Sequence, residues 1–187
     1  LTRADTYWGE KPHWRNVTFR IIPSDTARAA ALLAGDVQAI DFVAPSDVAG
    51  LRRNPEIAVV GGRSNRVLFL SPDTRPRISP LIADKQGRPI EPNPLRDLRV
   101  RRALSLAIDR QGLAQRFMDG FAEPASLMVP QGFLGFDDSV PVDPYDPARA
   151  RALLAEAGFP DGFAITIHCT NNRYVNDARV CQAVGQM

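Results

Sequence analysis

The sequence predicts an α/β fold, and three observations carry that expectation. The alternating, β-rich run Val17-Thr18-Phe19-Arg20-Ile21-Ile22 is followed at once by an alanine- and leucine-rich stretch that stops at Gly35. The same change of period recurs, with short apolar runs at 39–43, 57–60, 67–70 and 163–168 set among stretches of helical period. Those helical stretches carry start and stop signals: Ser, Asp or Asn before them and glycine after them.

Taken in order, residues 17–22 read as a strand, and Ser24 or Asp25 caps a helix that runs to about Ala34. Residues 39–43 form a second strand. Ser46-Asp47 caps a second helix that ends near Asn54-Pro55, and strands follow at 57–60 and 67–70, giving a β-α-β-α-β-β order. Residues 71–95 are different, because six prolines leave little periodicity. A strap of this length marks a boundary or a binding loop, with a turn at Asp84-Lys85-Gln86-Gly87. Asp97 then caps a helix whose Leu98, Val100, Leu104, Ala107 and Ile108 fall near one face. A short helix spans 111–118 and ends at Gly120. Residues 121–146 are extended and rich in Pro, Gly and Phe. Asp146-Pro147 opens a helix that stops at Gly158, with proline at its first position. Residues 163–168 form a strand, and Asn176 or Asp177 begins a last helix.

Bulk numbers exclude several classes. With 187 residues, 44% apolar and 24% charged, the composition is that of a chain able to bury a core. A net charge of +2 gives no overall field for nucleic acid or membrane. Leu1-Thr2-Arg3-Ala4-Asp5 is neither a methionine start nor a leader, so the sequence is expected to be a piece of something longer. Two cysteines are too few for a disulfide framework. Cys169 at a strand end and Cys181 inside the next helix predict two separate buried thiols, with a bridge between them as the alternative.

No catalytic constellation, metal site or cofactor is expected. His13 and His168 lack metal-ligand spacing, and His168 and Cys169, adjacent on a strand, point to opposite faces. His168 is expected to be a partly buried strand residue. No G-x-S-x-G elbow, P-loop or G-x-G-x-x-G occurs. Asp137-Asp138 reads as a solvated turn. Arg99, Arg101, Arg102, Arg110 and Arg116 are interleaved with Asp97 and Asp109 and lack flanking aromatic platforms, so they read as a solvated face with local ion pairs rather than a nucleic-acid surface.

Five motifs, in order, resemble a known family. They are Tyr7-Trp8-Gly9-x-Lys11-Pro12 before Val17-Thr18-Phe19-Arg20; Ala31-Leu32-Leu33-Ala34-Gly35-Asp36-Val37-Gln38-Ala39; Asp97-x-Arg99-Val100-Arg101-x-Ala103-Leu104 with Ala107-Ile108-Asp109-Arg110; Asp146-Pro147 through Glu156-Ala157-Gly158-Phe159; and Asn172-Arg173-Tyr174 leading into Gln182-Ala183-Val184. Together they resemble the periplasmic solute-binding proteins of peptide- and nickel-type ABC importers, extracellular solute-binding protein family 5. Gln38 stands where that pattern has an aspartate.

The resemblance implies part of a bilobal type II periplasmic-binding-protein fold, with mixed sheets flanked by helices. Residues 1–68 would be a portion of the first lobe leading into the hinge, and residues 69–187 most of the second lobe. It implies a monomeric transport receptor, periplasmic or at the cell surface, that closes on a small-molecule or peptide ligand and delivers it to membrane permease subunits. The family binds peptides, metal chelates, sugars and opines on one scaffold, so ligand identity stays open. Ser64, Asn65, Arg66 and Leu68 lie on the segment entering the hinge, where Arg66 is placed to pair a carboxylate. Pro130, Gln131 and Phe133 belong to a loop that resembles the family's cleft-facing loop. Asn172, Arg173 and Tyr174 follow the end of a strand, where ligand sites of α/β folds gather. The competing readings are a lobe of a hydrolytic enzyme on the same architecture and a nucleic-acid module using the arginine helix.

Overall fold

A computed structural model describes residues 1–171 and 173–187. The contacts divide the chain into two units, Leu1–Ala44 and Pro45–Met187.

The first unit holds one helix, α1 (Asp25–Leu33). Ser24 caps it by accepting the Ala27 N–H, and Gly35, at φ +77°, ends it. Arg28 is the hub of this unit. Its guanidinium donates to the carbonyls of Ile22, Pro23 and Phe42 and pairs with Asp25, which ties both flanking segments to the helix. The expected strands at 17–22 and 39–43 join no ladder among the described residues. Val17 pairs with Leu1 beside an isolated antiparallel bridge between Thr2 and Asn16, and beyond it Phe19 and Ile21 are 78% and 91% exposed.

The second unit begins with α2 (Pro45–Arg52), which starts at Pro45 rather than after a Ser46-Asp47 cap. Its fixed φ suits the first helical position. The expected strands at 57–60 and 67–70 also join no ladder among the described residues. The strap 71–95 is not a peripheral loop. It supplies Ser79, Ile82, Asn93 and Leu95 to the buried interior. Asn93 donates to the carbonyls of Asp73 (2.8 Å) and Arg75 (3.3 Å), and its oxygen caps the 3-10 turn Pro94–Arg96. The turn at Asp84–Gly87 forms as expected, with Gly87 N–H donating to the Asp84 carbonyl.

The sheet is a two-stranded antiparallel pair, β1 (Ile82–Ala83) with β2 (Ala164–Ile165), in register Ile82↔Ile165. The expected strand 163–168 thus survives only at its start, continued by the Thr166 N–H to the Leu81 carbonyl. His168 is exposed and outside the strand, against expectation.

Around this pair lie α3 (Leu98–Leu106), α4 (Arg110–Arg116), α5 (Pro147–Glu156) and α6 (Asp177–Gln186). Asp97, Asp109 and Asp146 cap α3, α4 and α5 through the N–H groups of Arg99, Gly112 and Arg149. One core cluster joins Ile82, Leu95 and Val100 beneath Ile90, Phe159, Phe163 and Ile165. A second joins Ala103, Ala150 and Leu153, where small residues let α3 and α5 approach closely. The buried face of α3 is therefore Val100 and Ala103; Leu98, expected on it, is 59% exposed.

Cys169 and Cys181 form a disulfide, which corrects the expectation of separate buried thiols. Their Cα atoms lie 6.3 Å apart, within bridging reach, because α6 folds back beside the end of the β2 segment. Cys169 is exposed and Cys181 half-buried.

Candidate functional site

Four of the five arginines of α3 and α4 are engaged by nearby groups. Arg99 donates to both oxygens of Asp97 and to the Glu156 carbonyl at the end of α5 (2.6 Å). Arg101 donates to the Leu95 and Arg96 carbonyls, Arg110 to Ser105, and Arg116 to Asp109. The Arg99 guanidinium holds the Asp97 carboxyl below the usual carboxylate range.

Two of the three candidate segments meet through a residue the sequence reading did not single out. Arg63 donates to the Gln131 carbonyl (3.1 Å) and side-chain oxygen (3.4 Å), and in a fork to both oxygens of Glu123 (3.2 Å each). The loop turns toward Arg63 at Gly132, whose φ of +91° disfavours a side chain, and closes with the Phe133 N–H on the Pro130 carbonyl. Phe133 is 41% exposed. Next along the chain from Arg63, Ser64 Oγ accepts the Arg66 N–H, so residues 64–66 form a local turn; Asn65, Arg66 and Leu68 are exposed.

The third segment is built differently. Asn172 lies outside the described residues. Arg173 donates from Nε to the Tyr174 hydroxyl (3.0 Å), with its guanidinium carbon 5.5 Å from the ring centroid. The backbone N–H groups of Arg173 and Tyr174 both donate to one oxygen of Asp177, and that of Ala178 to the other. Asp177 is buried. Burial works to raise its pKa, but Thr170 and the N–H groups of Tyr174, Arg173 and Ala178 outweigh it and hold the carboxyl below its usual range. The described hydrogen bonds of Arg173 and Tyr174 stay within residues 173–177.

These groups offer guanidinium, amide, hydroxyl and aromatic surfaces suited to non-covalent recognition. Among the described residues no three His, Cys, Asp or Glu side chains are grouped to hold a metal ion. A 470 Å³ cavity beside α4, lined by Asp109, Arg110, Pro124, Asp143 and Tyr145, includes none of the candidate residues. Arg63 and Glu123 were missed because their partners are distant in sequence, Arg63 lying 68 residues from Gln131 and 60 from Glu123, whereas Asp177, whose N–H partners lie within four residues, was read only as a helix start.

The profile of the bacterial extracellular solute-binding proteins, family 5 (middle region), matches residues 1–187. The chain belongs to that family. It is 29% identical over 163 residues to the dipeptide-binding protein of Escherichia coli K12, covering 87% of this chain and 28% of the relative. It is 34% identical over 168 residues to the glutathione-binding protein GsiB of Salmonella choleraesuis SC-B67, covering 89% and 29%. Among solved structures it is similar to the ABC transporter-associated periplasmic binding protein DppA of Helicobacter pylori in complex with the peptide STSA. There the TM-score is 0.60 and the identity 24%, over 86% of this chain and 28% of that one. The chain thus spans about three-tenths of the length of these relatives, and the likeness to the solved structure supports the expected α/β, periplasmic-binding-protein fold.

Proposed function

We propose that this chain is part of the substrate-binding component of an ABC importer. That component captures peptides or a peptide-like small solute by closing two lobes about a hinge, and it hands the ligand to a membrane permease. Residues 1–68 contribute to the first lobe and residues 69–187 to most of the second. The observation that carries this reading is the family match over the whole chain, with dipeptide- and glutathione-binding relatives favouring peptide-like ligands.

Closure of this kind stabilises one state of a hinge by contacts present only in that state, and it needs no bond made or broken. We read the protein as a monomeric binder without enzymatic activity, working in the periplasm or at the cell surface. The Cys169–Cys181 bridge supports an oxidising compartment. The local engagement of Arg99, Arg101, Arg110 and Arg116 supports a scaffold role over nucleic-acid binding. The ligand-contacting residues on this chain are proposed to be Ser64, Asn65, Arg66, Leu68, Pro130, Gln131, Phe133, Asn172, Arg173 and Tyr174.

Native mass spectrometry of the full-length protein tests the reading. A retained peptide-class molecule that is released on unfolding is the expected result. Turnover of an added peptide library, or capture of a solute with no peptide character, would overturn it.

A further inference from the structure

Three tethers converge on the loop that presents Arg173 and Tyr174. The first is covalent: Cys169, just past β2, is joined to Cys181 in α6, 12 residues on. The second is the buried Asp177 carboxylate, which takes the N–H groups of Arg173 (3.0 Å), Tyr174 (3.1 Å) and Ala178 (2.8 Å). The third is Asn176. Its backbone is left-handed (φ +55°), a conformation asparagine tolerates, and its side-chain amide donates to the Phe117 carbonyl at the end of α4 (2.7 Å).

We propose that Asp177, acting with the Cys169–Cys181 bridge, is the positioning element of the binding loop. It presets the backbone at Arg173 and Tyr174 so that the Arg173 guanidinium meets an anionic ligand group, a carboxylate of the peptide class, in one orientation. This rests on the function proposed above and adds to it how the loop is held. With its Nε occupied by the Tyr174 hydroxyl, the guanidinium retains Nη1 and Nη2 as the donor pair that suits a carboxylate fork. Ordering a long cationic side chain before the ligand arrives removes part of the entropy cost of binding. A carboxylate is the right group for the brace because its two oxygens accept several N–H groups at once, and a carboxamide has only one oxygen to accept them.

The bridge provides an independent handle. An added dithiol attacks one sulfur through its thiolate, displaces the other, and leaves as its own cyclic disulfide; two electrons and two protons end on Cys169 and Cys181. Cys169 is exposed, so the reagent has access.

The test uses the full-length protein, oxidised and dithiothreitol-reduced, with the variants Asp177→Ala, Asp177→Asn and the double substitution Cys169→Ser/Cys181→Ser. Amide exchange is read at residues 173–178 and across α3 and α5, and calorimetry reads affinity for dialanine and for Ser-Thr-Ser-Ala. Reduction, the double substitution and Asp177→Ala are each expected to speed exchange at 173–178 more than across α3 and α5 and to weaken peptide binding by about tenfold. Asp177→Asn should fall between wild type and Asp177→Ala, since one acceptor oxygen remains. Unchanged exchange at 173–178, or weakened binding that comes with equal loss of protection in α3 and α5, would overturn the proposal. If the oxidised wild type binds neither peptide, the peptide reading above fails, and the exchange pattern alone decides whether Asp177 and the bridge hold the loop.

Discussion

Two candidate binding segments of the second unit are held in opposite ways. The 123–133 loop is fastened to the 63–68 segment by Arg63, whose side chain is 46% exposed, acting on Glu123, which is 69% exposed. The 173–177 loop is fastened by a buried carboxylate, a disulfide and the Asn176 amide on Phe117. Water competes directly for the first fastening and less for the second, whose hydrogen bonds are part-buried and whose bridge is covalent. An exposed fork holds a segment that opens locally at small cost, whereas a covalent bridge and part-buried hydrogen bonds hold one that keeps its shape until larger parts unfold. One protein surface can thus combine a segment that adjusts to its ligand with a segment that is already set.

The comparison can be broken from its strongest side first. Leu153 sits in the α3–α5 contact, and Leu153→Ala should cost about 2–5 kcal/mol in denaturant titration of the intact protein. That loss should lower the whole unit without changing which loop exchanges faster; a reversal of their order would show that the core sets the difference. Removing the bridge by Cys169→Ser/Cys181→Ser should cost about 2–4 kcal/mol, seen as a lower melting temperature that dithiothreitol no longer affects. Asp97→Ala removes the α3 cap and its contact to Arg99; the melting temperature should fall while ligand affinity of the full-length protein stays nearly intact. A large affinity loss with unchanged melting would contradict the scaffold role of α3.

The pH response separates the loops further. Asp177 has a folded pKa below its unfolded value of about 3.9, so its contribution is complete above that value and fades as pH falls through the lower folded one. The amide resonances of Arg173 and Tyr174 should therefore hold steady down to about pH 4 and shift only below it. A shift centred at the ordinary carboxylate value would mean that Asp177 is not the brace. The smallest effect belongs to Arg63→Ala, which should change stability by about 0.2–1 kcal/mol yet raise proteolytic cleavage within 128–134. No change in cleavage would show that the loop is held by something other than the Arg63 fork.

Helix starts were legible in the sequence because their causes are local. Ser24, Asp97 and Asp146 lie within three residues of the N–H groups they satisfy, and Gly35 and Gly158 adopt positive φ just past the helix ends. Strands were not legible to the same degree, because alternation at 17–22 or 57–60 says which face is apolar but not whether a neighbour is there to pair. The contribution of strap 71–95 to the core was hidden for a related reason. Ile82 and Leu95 are separated by prolines that erase any period, and only the fold brings both against Val100. The position of Arg173 and Tyr174 in a loop before α6 and a carboxylate at the helix start could be read from the sequence, but the bridge stood only as an alternative, since it depends on how α6 turns back.

The two ends of the α3–α5 pair carry one further consequence. Arg99 near the start of α3 is bonded to the last carbonyl of α5, and the Leu106 carbonyl at the end of α3 accepts the Asp146 N–H just before α5 begins. The helices run antiparallel and are pinned at both extremities. A slip of one past the other by a single turn, about 5.4 Å, would break both pins at once. Motions of this part of the molecule are thereby restricted to rotation or translation of the pair as a single beam, with sliding between the two helices removed from the repertoire.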